Sequence, residues 1–302
     1  MDLGAFVADR KVIPGGLLQG CIDDYPEGII IPVNKPYRWT SADVIRKLKW
    51  LSCRHFQKKN LKVGHAGTLD PLATGVLLVC IGKATRLAET LQKEGKEYLA
   101  GISFGATTPS YDLEKPIDKT WPTDGVSEKA LSEVLPSFLG EQEQVAPLFS
   151  AKSIDGVRAY ELARIQYKKA GKQKTEVMED FDHTVAETLN RQNIVIHDIR
   201  LVSFSPDGIP SDEIPGQDPD LRPNPRINVE DTTALHLPHA VVRIACSKGT
   251  YIRALARDLG EALASGAHLD SLCRTRSGGF RVEDALSIDE AISLFNGQKT
   301  QG

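Results

Sequence analysis

VGHAGTLDPLATGVLLVCIGKATR, residues 63–86, is the stretch on which the fold turns. Gly64, Gly67 and Gly75 permit a tight backbone, and Pro71 fixes the chain immediately after Asp70. The apolar run 75–81 then reads as a strand that anchors the turn to a core. The construction holds a carboxylate on a glycine-framed loop at a sheet edge. By local spacing alone, an Asp before Pro is more often a turn residue than a catalytic one.

Working outward, residues 28–33, 98–104, 194–204 and 240–246 are β-rich and read as further strands. Thr40 and Ser41 cap a helix whose apolar positions Val44, Ile45, Leu48 and Leu51 have helical spacing, and whose other face carries Arg46, Lys47 and Lys49. Helices are also predicted at 127–139, 159–170, 252–264 and 288–295, the last opened by a capping box of Ser287 and Glu290. Strands and helices alternate too irregularly for a doubly wound parallel sheet, so the pattern predicts an α+β fold around a mixed or antiparallel sheet. Residues 205–233 are rich in Pro, Asp and Gly, and predict a mobile acidic insertion that stays out of any RNA groove.

The 302 residues, 41% hydrophobic and 25% charged, suffice for a full globular core. No apolar run approaches the ~20 residues of a membrane span, and the N-terminus lacks a signal-peptide pattern. A cytoplasmic protein is the expectation. Five dispersed cysteines without a CxxC pair read as reduced and structural. The net charge of −3 conceals strong local asymmetry: residues 35–62 hold nine Lys/Arg against one acidic residue, and 243–281 seven against three. Local basic fields attract phosphate whatever the total charge. Residues 205–231 hold part of the compensating acid, seven Asp/Glu against two Arg.

GHAGTLDPLATGVL strongly resembles the catalytic motif of TruB-type tRNA pseudouridine synthases. NKPYRWTSADV (34–44), LFSAKSIDGVRAYELAR (148–164), SKGTYIRALARDLG (247–260) and AHLDSLCRTRSGGF (267–280) are similar to the family's other elements, in the same order. The resemblance implies a pseudouridine synthase fold with a mixed, mainly antiparallel sheet flanked by helices. It implies an isomerase that flips out a T-loop uridine of tRNA and exchanges its C1′–N1 bond for a C1′–C5 bond, with no metal or redox cofactor. Asp70 matches the catalytic carboxylate. Tyr98 matches the tyrosine that stacks on the target base, Tyr251 the active-site tyrosine, and Arg253 the arginine that pairs with the catalytic Asp. Leu272 matches an apolar contact to the base, and His65 the histidine that engages the T loop.

On this reading Arg46, Lys47 and Lys49, together with Arg274, Arg276 and Arg281, hold RNA phosphates. The expected division is an N-terminal extension (1–27), a catalytic domain (28–286) containing the insertion, and a short C-terminal helix and tail (287–302) too small for the PUA domain of many relatives. A monomer with the tRNA T arm as its partner, and with no obligate protein partner, is expected. The chain departs from many bacterial members at Arg38, where they carry Gly, and GATTPSYDLE (105–114) resembles a subgroup variant whose role the sequence leaves unassigned. The alternative function is a tRNA-folding chaperone or RNA-binding module. A metal-dependent hydrolase built on His65 and Asp70 lacks a plausible ligand cluster in the sequence.

Overall fold

A computed structural model describes residues 3–12, 18, 20–147, 153–154, 157–158, 191–209 and 227–295. Fourteen strands follow one another along the described chain: β1 (Phe6–Val7), β2 (Ile29–Lys35), β3 (Val63–Ala66), β4 (Ala73–Ile81), β5 (Lys96–Phe104), β6 (Ala106–Thr107), β7 (Lys119–Thr120), β8 (Gly140–Val145), β9 (Ser153–Ile154), β10 (Val157–Arg158), β11 (Arg191–Ser205), β12 (His239–Cys246), β13 (Ala267–Ser277) and β14 (Phe280–Arg281). The α-helices are α1 (Ser41–His55), α2 (Ala88–Lys93), α3 (Glu128–Val134), α4 (Ile252–Ala262) and α5 (Ile288–Ser293). The architecture is α+β, and the expected strands and helices are present, except that the helix predicted at 159–170 lies outside the described residues.

The chain divides into two units. The first comprises Met1–Tyr98, Asp218–Ile227 and Cys273–Gly302, and the second Leu99–Gln217 and Asn228–Leu272. In the first, the strand order is β1-β2-β4-β13, with β3 also on β4 and β14 on β13. β1 lies parallel to β2, while β2 and β3 both run antiparallel to β4. The expected N-terminal extension therefore contributes Phe6 and Val7 to the sheet, paired with Ile29 and Ile30.

Side chains alternate across a strand, so Val76, Leu78 and Cys80 of β4 join Ile30, Ala66, Ala84, Leu91 and Ala285 in one cluster. Leu77, Val79, Ile81, Ile29, Ile31 and Val33, on the opposite parity, are also fully buried. A sheet covered on both faces explains why these strands read as unbroken apolar runs. Thr40 caps α1 in a reciprocal box with Asp43, and α1 packs on β3 and β4 with Val44, Leu48 and Leu51 buried. The predicted box of Ser287 and Glu290 opens α5 in the same way.

In the second unit the order is β5-β12-β11-β8, with β11 antiparallel to both β12 and β8. One expectation changes. All five cysteines are free, but Cys21 is exposed, so a packing role fits only the buried Cys80 and Cys246. Burial pushes the Cys80 thiol up to about 12. Of the insertion expected at 205–233, residues 210–226 lie outside the described residues; at its C-terminal edge Ile227 O accepts from Arg38 at 2.7 Å and Glu230 N donates to Leu113 O at 2.9 Å. Arg38 itself holds φ +59, the left-handed conformation that suits glycine. No helix among the described residues is long and apolar enough to cross a membrane.

Candidate active site

Asp70 sits half-buried between β3 and β4, on a loop whose backbone is gripped by side chains of the first unit. The Ser41 hydroxyl at the start of α1 donates to Leu69 O (3.1 Å) and accepts from Leu69 N (2.9 Å). The fully buried Lys35 ammonium donates to Pro71 O at 3.1 Å and to the carbonyls of Pro36 (2.9 Å) and Trp39 (2.5 Å). Asn34 Oδ1 accepts from Gly75 N at 3.0 Å. The loop closes on itself through Ala73 N and Asp70 O, 3.1 Å apart.

Arg274 completes the grip, and here the sequence reading is corrected. It is 1% exposed, so it cannot reach RNA phosphate as expected. Its guanidinium donates instead to Val76 O (2.7 Å), Gly67 O (3.1 Å) and Thr68 O (3.3 Å), spanning the two ends of the loop that carries Asp70. The planar fork of arginine suits such multiple donation, where an ammonium would act as a point charge. Gly75 makes the approach possible: at φ +95, an added Cβ would stand 2.2 Å from Arg274 O. Arg276, two residues on and therefore on the same strand face, is less buried and donates to Gly278 O at 3.1 Å.

His65 lies half-buried on β3, opposite Val79 of β4, and its Nδ1 is enclosed without a hydrogen bond. Burial pushes its imidazole below the ordinary range, and the charge of Arg274 adds to the effect. It is therefore neutral at pH 7. Tyr98 is 8% exposed on β5. Arg46, Lys47 and Lys49 stand exposed on α1, and Arg46 reaches Asp43 at 2.8 Å.

In the second unit, Tyr251 is the residue preceding α4 and is held through its backbone by the buried Gln144 of β8. Gln144 Oε1 accepts from Tyr251 N (2.8 Å) and its Nε2 donates to Tyr251 O (3.1 Å). Arg253 is 5% exposed, donates to Ser110 O at 3.0 Å and stands 3.7 Å from the Asp112 carboxylate. The segment 105–114 thus acquires a role that the sequence did not reveal. Its turn is knotted by Thr108 Oγ1 donating to Asp112 O (2.7 Å), Ser110 Oγ to Asp112 Oδ1 (2.6 Å) and Glu114 N to the same oxygen (3.0 Å), with Tyr111 at φ +56. Leu272 is half-buried at the unit's C-terminal end.

Sequence reasoning missed Ser41, Asn34, Gln144 and Asp112, and it counted Lys35 in a phosphate-holding basic stretch, whereas Lys35 is fully buried. One signal was available for Lys35: a charged residue ending an otherwise apolar strand, immediately before a proline, needs buried partners.

Comparison with known proteins adds to this geometry. Residues 54–197 match the family described as TruB family pseudouridylate synthase (N terminal domain). The chain is similar to tRNA pseudouridine synthase B of Phocaeicola vulgatus, 42% identical over 92% of this chain and 97% of that protein. It is similar to the protein of the same name from Bacteroides thetaiotaomicron, 45% identical over the same shares. Among solved structures, a chain of a Cbf5–Nop10–Gar1 complex matches with a TM-score of 0.54 at 24% identity, covering 90% of this chain and 56% of that one. The chain spans about half the length of that structural relative, and the likeness is one of fold.

Proposed function

The chain belongs to the TruB family of pseudouridylate synthases, and from that membership we infer that it isomerises a uridine of tRNA to pseudouridine, with Asp70 as the reacting carboxylate. The observation that carries the choice of Asp70 is the grip on its loop. Ser41, Lys35, Asn34 and Arg274 bind the backbone at Leu69, Pro71, Gly75 and the Gly67–Thr68 pair, while the Asp70 side chain stays half-buried. Preorganising a reactive group in this way places the ordering cost in folding, not in the reaction.

The chemistry is redox-neutral. The C1′–N1 bond breaks, the uracil turns, C1′ joins C5, and the proton lost from C5 is balanced by one gained at N1. A carboxylate suits such a reaction as nucleophile or base. A uridine stacked in a folded loop must be extruded first, and the T loop of tRNA, with its splayed bases, is the substrate we assign. Tyr98 is assigned to stack on the uracil, Leu272 to an apolar contact with it, and Tyr251 and Arg253 to the reacting nucleotide. His65, neutral and with an enclosed ring nitrogen, is assigned to the T loop, while exposed Arg46, Lys47 and Lys49 and the less buried Arg276 are assigned to phosphate. The protein acts as a monomer in the cytoplasm, where its tRNA substrate is found.

The test is Asp70→Asn. The expected outcome is tRNA binding within a few-fold of wild type and no pseudouridine on mapping of the reacted RNA. Near-normal pseudouridine formation by that variant would remove Asp70 from the reaction.

A further inference from the structure

Trp50 is the one aromatic among the large hydrophobic side chains left exposed in the described residues, at 57%. It lies on α1, where buried Val44, Leu48 and Leu51 define the inner face. At 100° per residue, Trp50 projects about 125° from their mean direction, on the outer side of the helix. Arg46 and Arg54, four residues either side, and Lys47, three before, share its face, with Lys49 at the flank. All four are exposed. The Arg54 guanidinium stands 5.4 Å from the Trp50 ring centroid. Asp43 is the one acidic residue of the helix, and it is engaged with Thr40 and Arg46 at its first turn.

An exposed indole costs free energy in water, and a row of cations around it repels cationic partners while attracting phosphate. Base stacking on an aromatic ring flanked by Arg and Lys is the interaction these groups supply together, and it needs an unpaired base, since the faces of paired bases are covered by their neighbours. Trp50 lies nine residues beyond Ser41, the residue bonded to the Asp70 loop, which is roughly 14 Å along the helix axis. A base at Trp50 is therefore a different nucleotide from the one that reacts.

We propose that the exposed face of α1 is a second RNA contact, in which Trp50 stacks on an unpaired base of the tRNA and Arg46, Lys47 and Arg54 hold the adjoining phosphates. The proposal rests on tRNA being the ligand. Stacking and phosphate contact differ in their response to salt: phosphate contacts release counterions and set the slope of log K against log[salt], whereas stacking does not. The experiment measures affinity for an unmodified tRNA transcript across a salt series, using the full chain.

Trp50→Leu should weaken binding about tenfold at every salt concentration with the slope preserved. Trp50→Phe should recover most of the loss, because it restores a π-face. Neutralising Arg46, Lys47 and Arg54 together to Gln should flatten the slope. Wild-type affinity in Trp50→Leu would overturn the proposal and assign the ring to a protein partner. It would also be overturned by a loss that vanishes at high salt, or by Phe performing no better than Leu. A wild-type protein that binds tRNA but makes no pseudouridine would sink the activity and leave this contact standing, so the two failures are distinguishable.

Discussion

Arg274 in the first unit and Arg253 in the second are both buried cations, yet they relate to their surroundings in opposite ways. Arg274 is a side chain that fixes a loop: its guanidinium bonds three backbone carbonyls and so determines the path of the residues around Asp70. Arg253 is a side chain fixed by a loop. The turn at 108–114 is folded by its own hydrogen bonds and presents Ser110 O and the Asp112 carboxylate to the guanidinium. Buried charge is costly in either place unless it is met by oriented dipoles or an opposite charge. The two solutions predict different sensitivities: one is damaged by changing the cation, the other by changing the turn.

The largest effect is expected at Arg274. Arg274→Met removes three charge-assisted bonds and leaves their carbonyls enclosed, at a cost on the order of 3–5 kcal/mol in stability. Single-turnover pseudouridine formation should fall about a hundredfold or more, and Arg274→Lys should restore little, because one ammonium cannot span Val76 O and the Gly67–Thr68 pair. Full turnover in a destabilised Arg274→Met protein would show that the grip on the loop has no part in the reaction.

Asp112→Asn comes next, at about 2 kcal/mol by urea unfolding. This is less than removing a tightly joined buried partner would cost, because the pair is 3.7 Å apart and Ser110 O still holds the guanidinium. A double-mutant cycle with Arg253→Met should show coupling. Additive losses would mean that the turn and the cation act independently. Ser110→Ala removes one hydroxyl bond from the knot and should cost about 1 kcal/mol.

The smallest effect is in pH. His65 and His268 both titrate below the ordinary range, each chiefly through burial, which at His268 outweighs the opposing hydrogen bond of Nδ1 to Ala106 O at 2.9 Å. The unfolded chain takes up protons at about pH 6.5 before the folded one does, so stability falls as pH drops through that value and toward the depressed folded pKa. Urea midpoints at pH 7.5 and 5.5 should differ in that direction. In Arg274→Met the His65 share should shrink, because one of its two causes is gone, while the His268 share persists.

The strands and α1 were legible because apolar period and capping chemistry agreed there. β13 was not read as a strand, because its buried positions include His268, Asp270 and Arg274, and polar residues facing inward erase the alternation by which a strand is recognised. The same blindness misassigned Arg274: a local excess of charge indicates a basic region but not which of its cations are enclosed. Asp70 was found by motif. The residues that hold its loop were not, since their partners are backbone groups that carry no sequence signature. Asp112 and Gln144 escaped for a related reason, each being a long-range contact to a residue more than a hundred positions away.

The pair of hydrogen bonds between Ser41 and Leu69 makes one hydroxyl do what a neighbouring strand would do, satisfying both the N–H and the C=O of a single residue. That gives the loop a natural clock. The Leu69 amide proton can exchange with solvent only when this latch is undone, so its exchange lifetime measures how often the segment bearing Asp70 lets go of α1. Because Trp50 lies on the same helix, RNA that steadies α1 should lengthen that lifetime, and a loop held shut should in turn tighten RNA binding by the same factor.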